Sequence, residues 1–388
     1  MRKAAFVSVW LFLAVQCLAV PQAWAGTVVG WGEQKISPDI SNLVLIAAGG
    51  RYNLALKADG SVTGWGDNYS GQATPPKGND FVAVSAGSYH SLALKTDGSI
   101  VGWGNNYRGQ ATPPDGNDFL AVAAGINHSL ALKGDGSIVG WGAGTQDLGD
   151  WPDYGQAAPP SGNDFVAVSA GECHSLALKA DGSIIGWGRD DYGQATPPEG
   201  NDFVAVSAGG YHSLALKADG SIVGWGADST PPEGNDFVAV SAGRYHSLAL
   251  KADGSIVGWG SNGWGQATPP EGNDFVAISA GSYHGLALKA DGSIKGWGLN
   301  NYGQAAPISG DYFVDVSGGL EHSLGLKSDG SIVGWGYERD RRAEPPASPP
   351  LGNDYMAVSG GGIYYGGLGP IFYTGRYGLA LNSDGSIV

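Results

Sequence analysis

Apolar and polar positions along this chain follow one pattern, which recurs from about residue 26 to residue 388. In one copy, residues 81–86, 91–95 and 100–104 alternate with the two-residue period of β-strands. An Asp-Gly pair at 97–98 predicts a tight hairpin between the second and third strands, because glycine tolerates positive φ. Two prolines at 113–114 cannot occupy a central strand and mark the passage to the next copy. Each copy is therefore predicted to form three antiparallel strands.

The alternation also predicts which side chains are buried. Val82, Val84 and Ala86 are expected on one face of the first strand, and Leu92 and Leu94 on one face of the second. No stretch after residue 25 has a convincing helical period. Because a three-stranded unit cannot bury both of its faces alone, the units are expected to stack against each other.

A Gly-Trp-Gly motif ends each copy, and its tryptophans are most often 38 residues apart. A fixed period of this size is typical of propellers, solenoids and arrays. Tryptophan is large enough to fill the space between neighbouring units, so these residues are assigned a structural role. They are Trp65, Trp103, Trp141, Trp187, Trp225, Trp259, Trp297 and Trp335, and the motif also occurs at Trp31.

The predicted fold is all-β: a β-propeller of about nine short, three-stranded repeat units. Nine second strands can be counted, the first at 54–56 and the last at 379–381. The lone third strand at 28–32 could complete the last unit, whose own Gly-Trp-Gly would follow residue 388, and a truncated sequence would have the same ends. Seven or eight closed blades with extra units, or an open spiral, are the alternatives.

The run Ala-Gly-x-x-His-Ser-Leu-Ala-Leu-Lys-x-Asp-Gly-Ser-Ile-x-Gly-Trp-Gly, followed by Tyr-Gly-Gln, resembles the regulator-of-chromosome-condensation repeat. The resemblance covers nearly all of residues 26–388 and implies a bladed β-propeller. In length the units resemble the three-stranded blades of beta-lactamase inhibitory protein II, a secreted bacterial relative that binds its target enzymes. The family also includes a guanine-nucleotide exchange factor and an ultraviolet receptor, so it implies a fold and not one function. The receptor signature Gly-Trp-Arg-His-Thr does not occur in this sequence.

The N-terminal residues predict export. Arg2 and Lys3 precede an apolar stretch that ends near Val20, and Ala-Trp-Ala follows at 23–25. Residues 1–25 are therefore predicted to be a secretory signal peptide, and residues 26–388 one repeat domain. We expect a secreted or periplasmic protein that is not inserted in a membrane after cleavage. The formal charge of −15 disfavours DNA and RNA as partners and fits poorly with an exchange factor acting at chromatin.

Candidate chemical groups occur only at repeat positions. Seven histidines lie just before the second strand, where a structural hydrogen bond to a turn backbone is expected: His90, His128, His174, His212, His246, His284 and His322. A metal site needs several converging ligands, and residues on separate units are not expected to meet. The recurring aspartates occupy turns, and no pair is singled out for glycoside hydrolysis. We therefore expect a non-enzymatic protein without a cofactor or a metal.

The strand directions place two sets of aromatic residues on one rim of the predicted propeller. The turn before the second strand carries Tyr52, Tyr89, Tyr211, Tyr245 and Tyr283, and the loop after the third strand carries Tyr69, Tyr107, Tyr154, Tyr192, Trp264 and Tyr302. Irregular insertions at 143–153, 337–344 and 360–376 fall on the same rim, and such loops commonly bind ligands. The candidate binding residues are Trp151, Tyr154, Tyr192, Trp264, Arg341, Tyr364, Tyr365, Phe372 and Tyr373.

Tyrosine, tryptophan and arginine dominate the binding energies of protein interfaces. The sequence therefore predicts a monomeric scaffold that binds another protein through this rim, with inhibition of an extracellular or periplasmic enzyme as one form of that role. A carbohydrate-binding or cell-surface module is the alternative, because exposed aromatic rings also stack on sugars. A regulator similar to an exchange factor and a polysaccharide-active enzyme are less favoured. The repeated tyrosines are also explained if they only pack one loop against another.

Overall fold

The structure of the chain is a computed structural model that describes residues 29–30, 43–57, 59–307, 313–328, 332–336 and 358–360. Within these ranges the chain forms eight sheets, each built on the three antiparallel strands of one repeat, and one small hairpin; two of the sheets gain a fourth strand. The predicted all-β fold of repeated three-stranded units is confirmed. In the part of the chain that is described, no helix is long and apolar enough to cross a membrane.

The strands are numbered along the chain, and three consecutive strands make one unit. The first four units are β2 Leu43–Ala48, β3 Tyr52–Lys57 and β4 Val62–Gly66; β5 Phe81–Ala86, β6 His90–Lys95 and β7 Ile100–Gly104; β8 Phe119–Ala124, β9 His128–Lys133 and β10 Ile138–Gly142; and β13 Phe165–Ala170, β14 His174–Lys179 and β15 Ile184–Gly188. The other four are β16 Phe203–Ala208, β17 His212–Lys217 and β18 Ile222–Gly226; β19 Phe237–Ala242, β20 His246–Lys251 and β21 Ile256–Gly260; β22 Phe275–Ala280, β23 His284–Lys289 and β24 Ile294–Gly298; and β25 Phe313–Gly318, β26 His322–Lys327 and β27 Ile332–Gly336. Outside the units lie β1 Val29–Gly30, the hairpin of β11 Asp147–Asp150 and β12 Asp153–Tyr154, and β28 Val358–Gly360.

The second strand of each unit lies in the middle of its sheet and pairs with the first and third strands. The predicted hairpin forms at residues 97–98, where Gly98 has a φ of 81°. The carboxylate of Asp97 accepts a hydrogen bond of 2.9 Å from the backbone N–H of Ser99. The aspartate of this turn is therefore used locally, as the sequence indicated.

The first strand departs from the predicted alternation. A β-bulge between Phe81 and Ala83 places two residues of β5 opposite one position of β6. Phe81, Val84 and Ala86 are consequently buried, whereas Val82 is only half-buried. The prediction of one buried face through Val82, Val84 and Ala86 was wrong at Val82, because the bulge shifts the two-residue period by one position.

The hydrophobic core is divided into layers that lie between consecutive units. In one layer, Leu92 and Leu94 of the second unit pack with Phe119 and Trp141 of the third. These four side chains are between 0 and 7 % exposed. Burial of each leucine stabilises the fold by about 2 kcal/mol, and the side chains that cover it include those of the neighbouring unit. The units are therefore stable together and not singly, as in other repeat proteins.

The eighth unit contacts the first, so the series of units returns to its start. Arg51 and Glu321 form an ion pair of 2.9 Å, and His322 Nε2 lies 3.1 Å from Asn53 Oδ1. The sheets themselves stay open and are joined here by side chains; β1 extends the eighth sheet parallel to β27, and β28 extends the first sheet parallel to β2. The ninth hairpin, predicted at 379–381, lies outside the described residues, as do Trp31 and the predicted signal peptide.

Candidate functional site

The repeated histidine, serine and tryptophan form one link between neighbouring units. His90 Nε2 lies 2.9 Å from Ser129 Oγ of the next unit. Ser129 Oγ donates a hydrogen bond of 2.9 Å to the backbone oxygen of Gln110, and Trp141 Nε1 donates another of 2.9 Å to the same oxygen. Because the serine proton is used for the carbonyl, His90 Nε2 must be the donor to Ser129. The Nε2 atom therefore bonds to a side chain of the next unit, and His90 also has the backbone contact that the sequence suggested, with Ile126 in a turn of that unit.

The same contact recurs along the series, and burial keeps four of the histidines neutral. It joins His128 to Ser175, His174 to Ser213, His212 to Ser247 and His284 to Ser323, at 2.8 to 3.1 Å. Burial lowers the pKa of His90 and His128 to about 3, and the pKa of His174 and His322 to about 4. Within the described ranges, no three His, Cys, Asp or Glu residues are grouped as metal ligands. The histidines are committed to packing between units.

The tryptophan of the sixth unit provides a natural comparison for the link. Trp187 Nε1 donates a hydrogen bond of 2.9 Å to the backbone oxygen of Gln156, whereas Trp259 Nε1 is buried without a hydrogen-bond partner. The segment before the sixth unit is shorter and has no glutamine at that position.

We expect Trp187→Phe to lower the free energy of unfolding by about 1 kcal/mol more than Trp259→Phe, because only the first change removes a hydrogen bond; the Gln156 oxygen then keeps Ser175 Oγ as its one donor. Both side chains are half-buried, so the loss of ring area is comparable. Urea titrations of the two variants measure the difference. Equal losses would show that the indole N–H contributes nothing to the link.

Tyr52 does not belong to the rim, although the sequence placed it there. It occupies the position of the repeated histidine in the first unit and is 0 % exposed. Its hydroxyl donates to the backbone oxygen of His90 at 2.5 Å and accepts from Ser91 Oγ at 2.9 Å. The prediction that Tyr52 lies on the rim was wrong, because the first unit was aligned one residue out of register with the others. Tyr52 corresponds to the repeated histidine and not to the tyrosine of the turn.

Four tyrosines of consecutive units contact one another on the predicted rim. The ring of Tyr192 meets Tyr211 edge-on with centroids 5.6 Å apart, and Tyr211 stacks on Tyr245 at 5.3 Å. Tyr245 is tilted against Tyr283 at 6.0 Å. We call Tyr192, Tyr211, Tyr245 and Tyr283 the tyrosine belt; it extends from the loop of the fourth unit to the turn of the seventh.

A buried arginine supports the belt. Arg244 is 0 % exposed, and its Nη1 donates a hydrogen bond of 3.0 Å to the hydroxyl of Tyr283. Its guanidinium carbon lies 4.7 Å from the ring centre of Tyr245 and 6.0 Å from that of Tyr211. One cation therefore contacts three of the four belt tyrosines, by a hydrogen bond and by cation–π interactions.

A buried carboxylate accompanies the arginine. Glu172 is 3 % exposed, and its Oε1 accepts a hydrogen bond of 3.4 Å from the hydroxyl of Tyr211. A Cβ atom at Gly210 would lie 3.0 Å from Arg244 Cγ and 3.3 Å from Glu172 Oε2, so glycine lets both side chains close over this turn. Burial by itself lowers the pKa of Arg244, but the Glu172 charge and three tyrosines outweigh it and the pKa is raised. The arginine stays charged beneath the belt.

Burial changes the pKa of two belt hydroxyls, and a second arginine contacts the belt. It raises the pKa of Tyr245 to about 12 and raises that of Tyr211, so both remain protonated donors at neutral pH. Arg189 lies 5.2 Å from the ring centre of Tyr154 and 5.4 Å from that of Tyr211, and it pairs with Asp191 at 2.5 Å. Arg244 therefore supports the belt from its buried side, and Arg189 supports it from the loop of the fourth unit.

The predicted binding residues fall into three groups. Tyr192 and Trp264 are 55 % and 56 % exposed. Trp151 and Tyr154 are half-buried and pack against a small core of Ile126 and Cys173. The remaining candidates lie outside the described residues: Arg341, Tyr364, Tyr365, Phe372 and Tyr373.

The predicted loop aromatics are not one equivalent set. Tyr69 and Tyr107 are 97 % and 93 % exposed and stand one position earlier in the loop than Tyr192. In the second unit Arg108 fills the Tyr192 position, where its backbone N–H bonds to the side chain of Gln110 at 2.9 Å. A one-residue shift therefore separates freely projecting tyrosines from those that pack on the turns.

Sequence reasoning missed the two charged residues beneath the belt. Arg244 and Glu172 stand two positions before the repeated histidine, where other units have Ser88 and Ser282. A charged residue at a position that is uncharged in the other units was the available signal. A charge in only two units indicates a function confined to these units, because the repeat itself does not require a charged residue at this position.

Comparisons with known proteins agree with this architecture. A model of the family described as regulator of chromosome condensation (RCC1) repeat matches eight segments, at residues 43–72, 81–110, 119–147, 165–194, 203–229, 237–266, 275–304 and 313–340. A comparison with curated proteins found no match.

Three solved structures share the fold at low identity. The chain is similar to human WBSCR16, with 19 % identity and a TM-score of 0.50 over 69 % of this chain and 98 % of that one. It is similar to the CRINKLY WD40 ectodomain of the Arabidopsis thaliana receptor kinase ACR4, with 23 % identity and a TM-score of 0.51 over 72 % and 99 %. For the entire ectodomain of the Physcomitrella patens receptor kinase CR4 the values are 24 % and 0.50 over 69 % and 76 %.

Proposed function

Because this chain belongs to the regulator of chromosome condensation (RCC1) repeat family, whose fold serves several unrelated functions, we propose its role from the site: it is a scaffold that binds a protein partner at the tyrosine belt. The observation that carries this proposal is the continuous contact of Tyr192, Tyr211, Tyr245 and Tyr283 around one buried arginine.

The composition of the belt matches that of interface hot spots. Tyrosine and arginine are enriched where truncation of a side chain costs most binding energy. Tyrosine offers a large contact area for two rotatable bonds, so little conformational entropy is lost on binding. Here Arg244 and Glu172 further restrict the rings before any partner arrives, which reduces the cost of ordering them.

The proposal includes a non-enzymatic role outside the cytoplasm. The histidines are used in the links between units, and the turn aspartates in local hydrogen bonds, so the repeated polar residues already have structural partners. The segment at 1–25 has the charged, apolar and small-residue order of a secretory signal peptide. An exported enzyme that this protein inhibits is the partner class we favour.

The test begins with site-directed cross-linking. A photoreactive phenylalanine analogue is placed at Tyr192, which belongs to the belt, and in a matched sample at Tyr107, which is 93 % exposed and belongs to the second unit. Proteins exported by the source organism are then offered to both. We expect one partner to cross-link at position 192 and not at position 107.

The affinity of the purified partner is then measured for Tyr211→Ala/Tyr245→Ala and for Tyr107→Ala. Loss of two hot-spot rings is expected to weaken binding at least about 30-fold, because the loss of even one hot spot costs about 2 kcal/mol or more. Tyr107→Ala should bind as the unmodified protein does. Equal affinities for both variants would overturn the choice of surface, and binding on a glycan array without any protein partner would favour the carbohydrate alternative.

A further inference from the structure

A Gly-Gln pair lies in most of the loops that follow a third strand. From the third unit to the seventh, an aromatic residue precedes this pair in every loop but one. Tyr154, Tyr192, Trp264 and Tyr302 occupy this position after the third, fourth, sixth and seventh units. After the fifth unit the loop is reduced to residues 227–230, which include no aromatic residue. The interval from Trp225 to Trp259 is accordingly 34 residues, against 38 from Trp187 to Trp225.

This short loop supplies no ring to the belt. Tyr192, in the loop after the fourth unit, places its ring edge-on against Tyr211 in the turn of the fifth unit. By the same geometry, a full loop after the fifth unit would place a ring against Tyr245 of the sixth. Residues 227–230 have no ring to place there. We call this part of the rim, between Tyr192 and Trp264 and alongside Tyr245, the gap.

The charges that face solvent around the gap are negative. Asp190, Asp191 and Asp228 are exposed. The two nearby arginines are less accessible to solvent than these carboxylates. Arg244 is fully buried, and the side chain of Arg189 is 21 % exposed, compared with 56 % for its partner Asp191. An incoming segment therefore meets aromatic rings edged by carboxylates.

We infer that a lysine- or arginine-bearing segment of the protein partner occupies this gap; the inference rests on the proposed function and names the chemistry of the partner. The belt already binds cations of its own, since Arg189 and Arg244 lie within 6.0 Å of tyrosine ring centres. A partner cation would add the same interaction on the open sides of Tyr192 and Trp264. The formal charge of −15 attracts a basic segment at long range and repels an acidic one.

The test uses a random peptide display library selected on the immobilised protein. A parallel selection uses a variant whose residues 227–230 are replaced by the eight residues 189–196 of the loop after the fourth unit, which refills the gap. We expect lysine and arginine to be enriched among peptides selected by the unmodified protein and not among those selected by the refilled variant. Enrichment of acidic or purely apolar peptides would overturn the inference.

A second variant removes charge without disturbing the loops. Asp190→Asn matches Asn106, which makes the same backbone contact in the second unit, and Asp228→Asn suits the φ of 49° at that position. For a selected basic peptide, we expect the double variant to bind about 10-fold more weakly at low ionic strength, with a smaller dependence on salt. Unchanged affinity would contradict the inferred role of the carboxylates.

The two proposals fail in different ways. Peptides that lose binding to Tyr211→Ala/Tyr245→Ala but show no basic preference would support the belt and refute the basic segment. Basic peptides that bind this belt variant unchanged would place their site elsewhere and refute both.

Discussion

Acidification from about pH 7.5 to about pH 5 should strongly lower the free energy of unfolding of this protein. In the unfolded chain each histidine titrates near its ordinary value of about 6.5. In the folded chain His90 and His128 have a pKa of about 3, and His174 and His322 of about 4, because all four are buried. Between these limits the unfolded chain binds more protons than the folded one, so the free energy of unfolding falls as the pH falls.

The expected size of this effect is large. Each of the four histidines costs about 1.4 kcal/mol per pH unit below 6.5, or about 2 kcal/mol at pH 5. Together they amount to on the order of 8 kcal/mol, which is within the range of total stability of a folded domain, about 5–15 kcal/mol. Urea titrations followed by circular dichroism over this pH range measure the change.

Other titrating groups can be separated from the histidines. The turn aspartates, such as Asp97, have lowered pKa values because Ser99 hydrogen-bonds the carboxylate, so they act only at lower pH. Asp315 acts in the opposite direction, since burial raises its pKa and acid favours its folded form. His90→Gln keeps a donor toward Ser129 and should reduce the pH slope by about one proton. A free energy of unfolding that stays constant from pH 7.5 to pH 5 would contradict the neutral, buried links.

Arg244→Met should lower the free energy of unfolding by about 3–5 kcal/mol, because it leaves the buried charge of Glu172 without the cation that offsets its desolvation. Arg244 is 0 % and Glu172 3 % exposed, so neither charge can be solvated in place. The double variant Arg244→Met/Glu172→Leu removes both charges and should recover much of that loss. Urea unfolding of the four proteins in this cycle measures the coupling.

Arg51→Met is the matched control on the opposite side of the series. Arg51 pairs with Glu321 at 2.9 Å, but their side chains are 14 % and 22 % exposed and water can solvate the remaining carboxylate. We expect a clearly smaller loss than for Arg244→Met. If Arg244→Met is no worse than Arg51→Met, or if adding Glu172→Leu gives no recovery, the buried charges do not support the belt.

The local elements of this protein could be predicted because their causes lie within a few residues. The Asp-Gly pair at 97–98 forms its hairpin, and the strands of each unit begin and end close to where alternation placed them. The bulge after Phe81 could not be predicted, since it depends on pairing between two strands and leaves the residue types unchanged. The displacement of Tyr52 from the rim to the link arose from the same kind of one-residue ambiguity.

The candidate site was predicted in kind but not in composition. The sequence placed aromatic residues on a common rim, including Tyr192 and Trp264, but it did not indicate which rings touch or that Arg244 lies beneath them. The contacts between units join residues that are far apart in the chain, such as Tyr192 and Tyr211 or Arg244 and Tyr283. Such pairs meet only after whole units have stacked.

What the sequence by itself determined is the unit: three strands, their turns and the tryptophan that needs a neighbour, because periodicity and turn chemistry act locally. The tertiary structure alone decided how unlike residues of successive units combine. Stacking brings Glu172, Tyr211, Arg244 and Tyr283 of four units over one another, and it leaves the gap where the fifth loop is short. The physical reason is that a side chain at a repeat position has its nearest partners in the next unit. A residue that departs from the repeat, such as Arg244, therefore acquires its role from the residues that stack beside it.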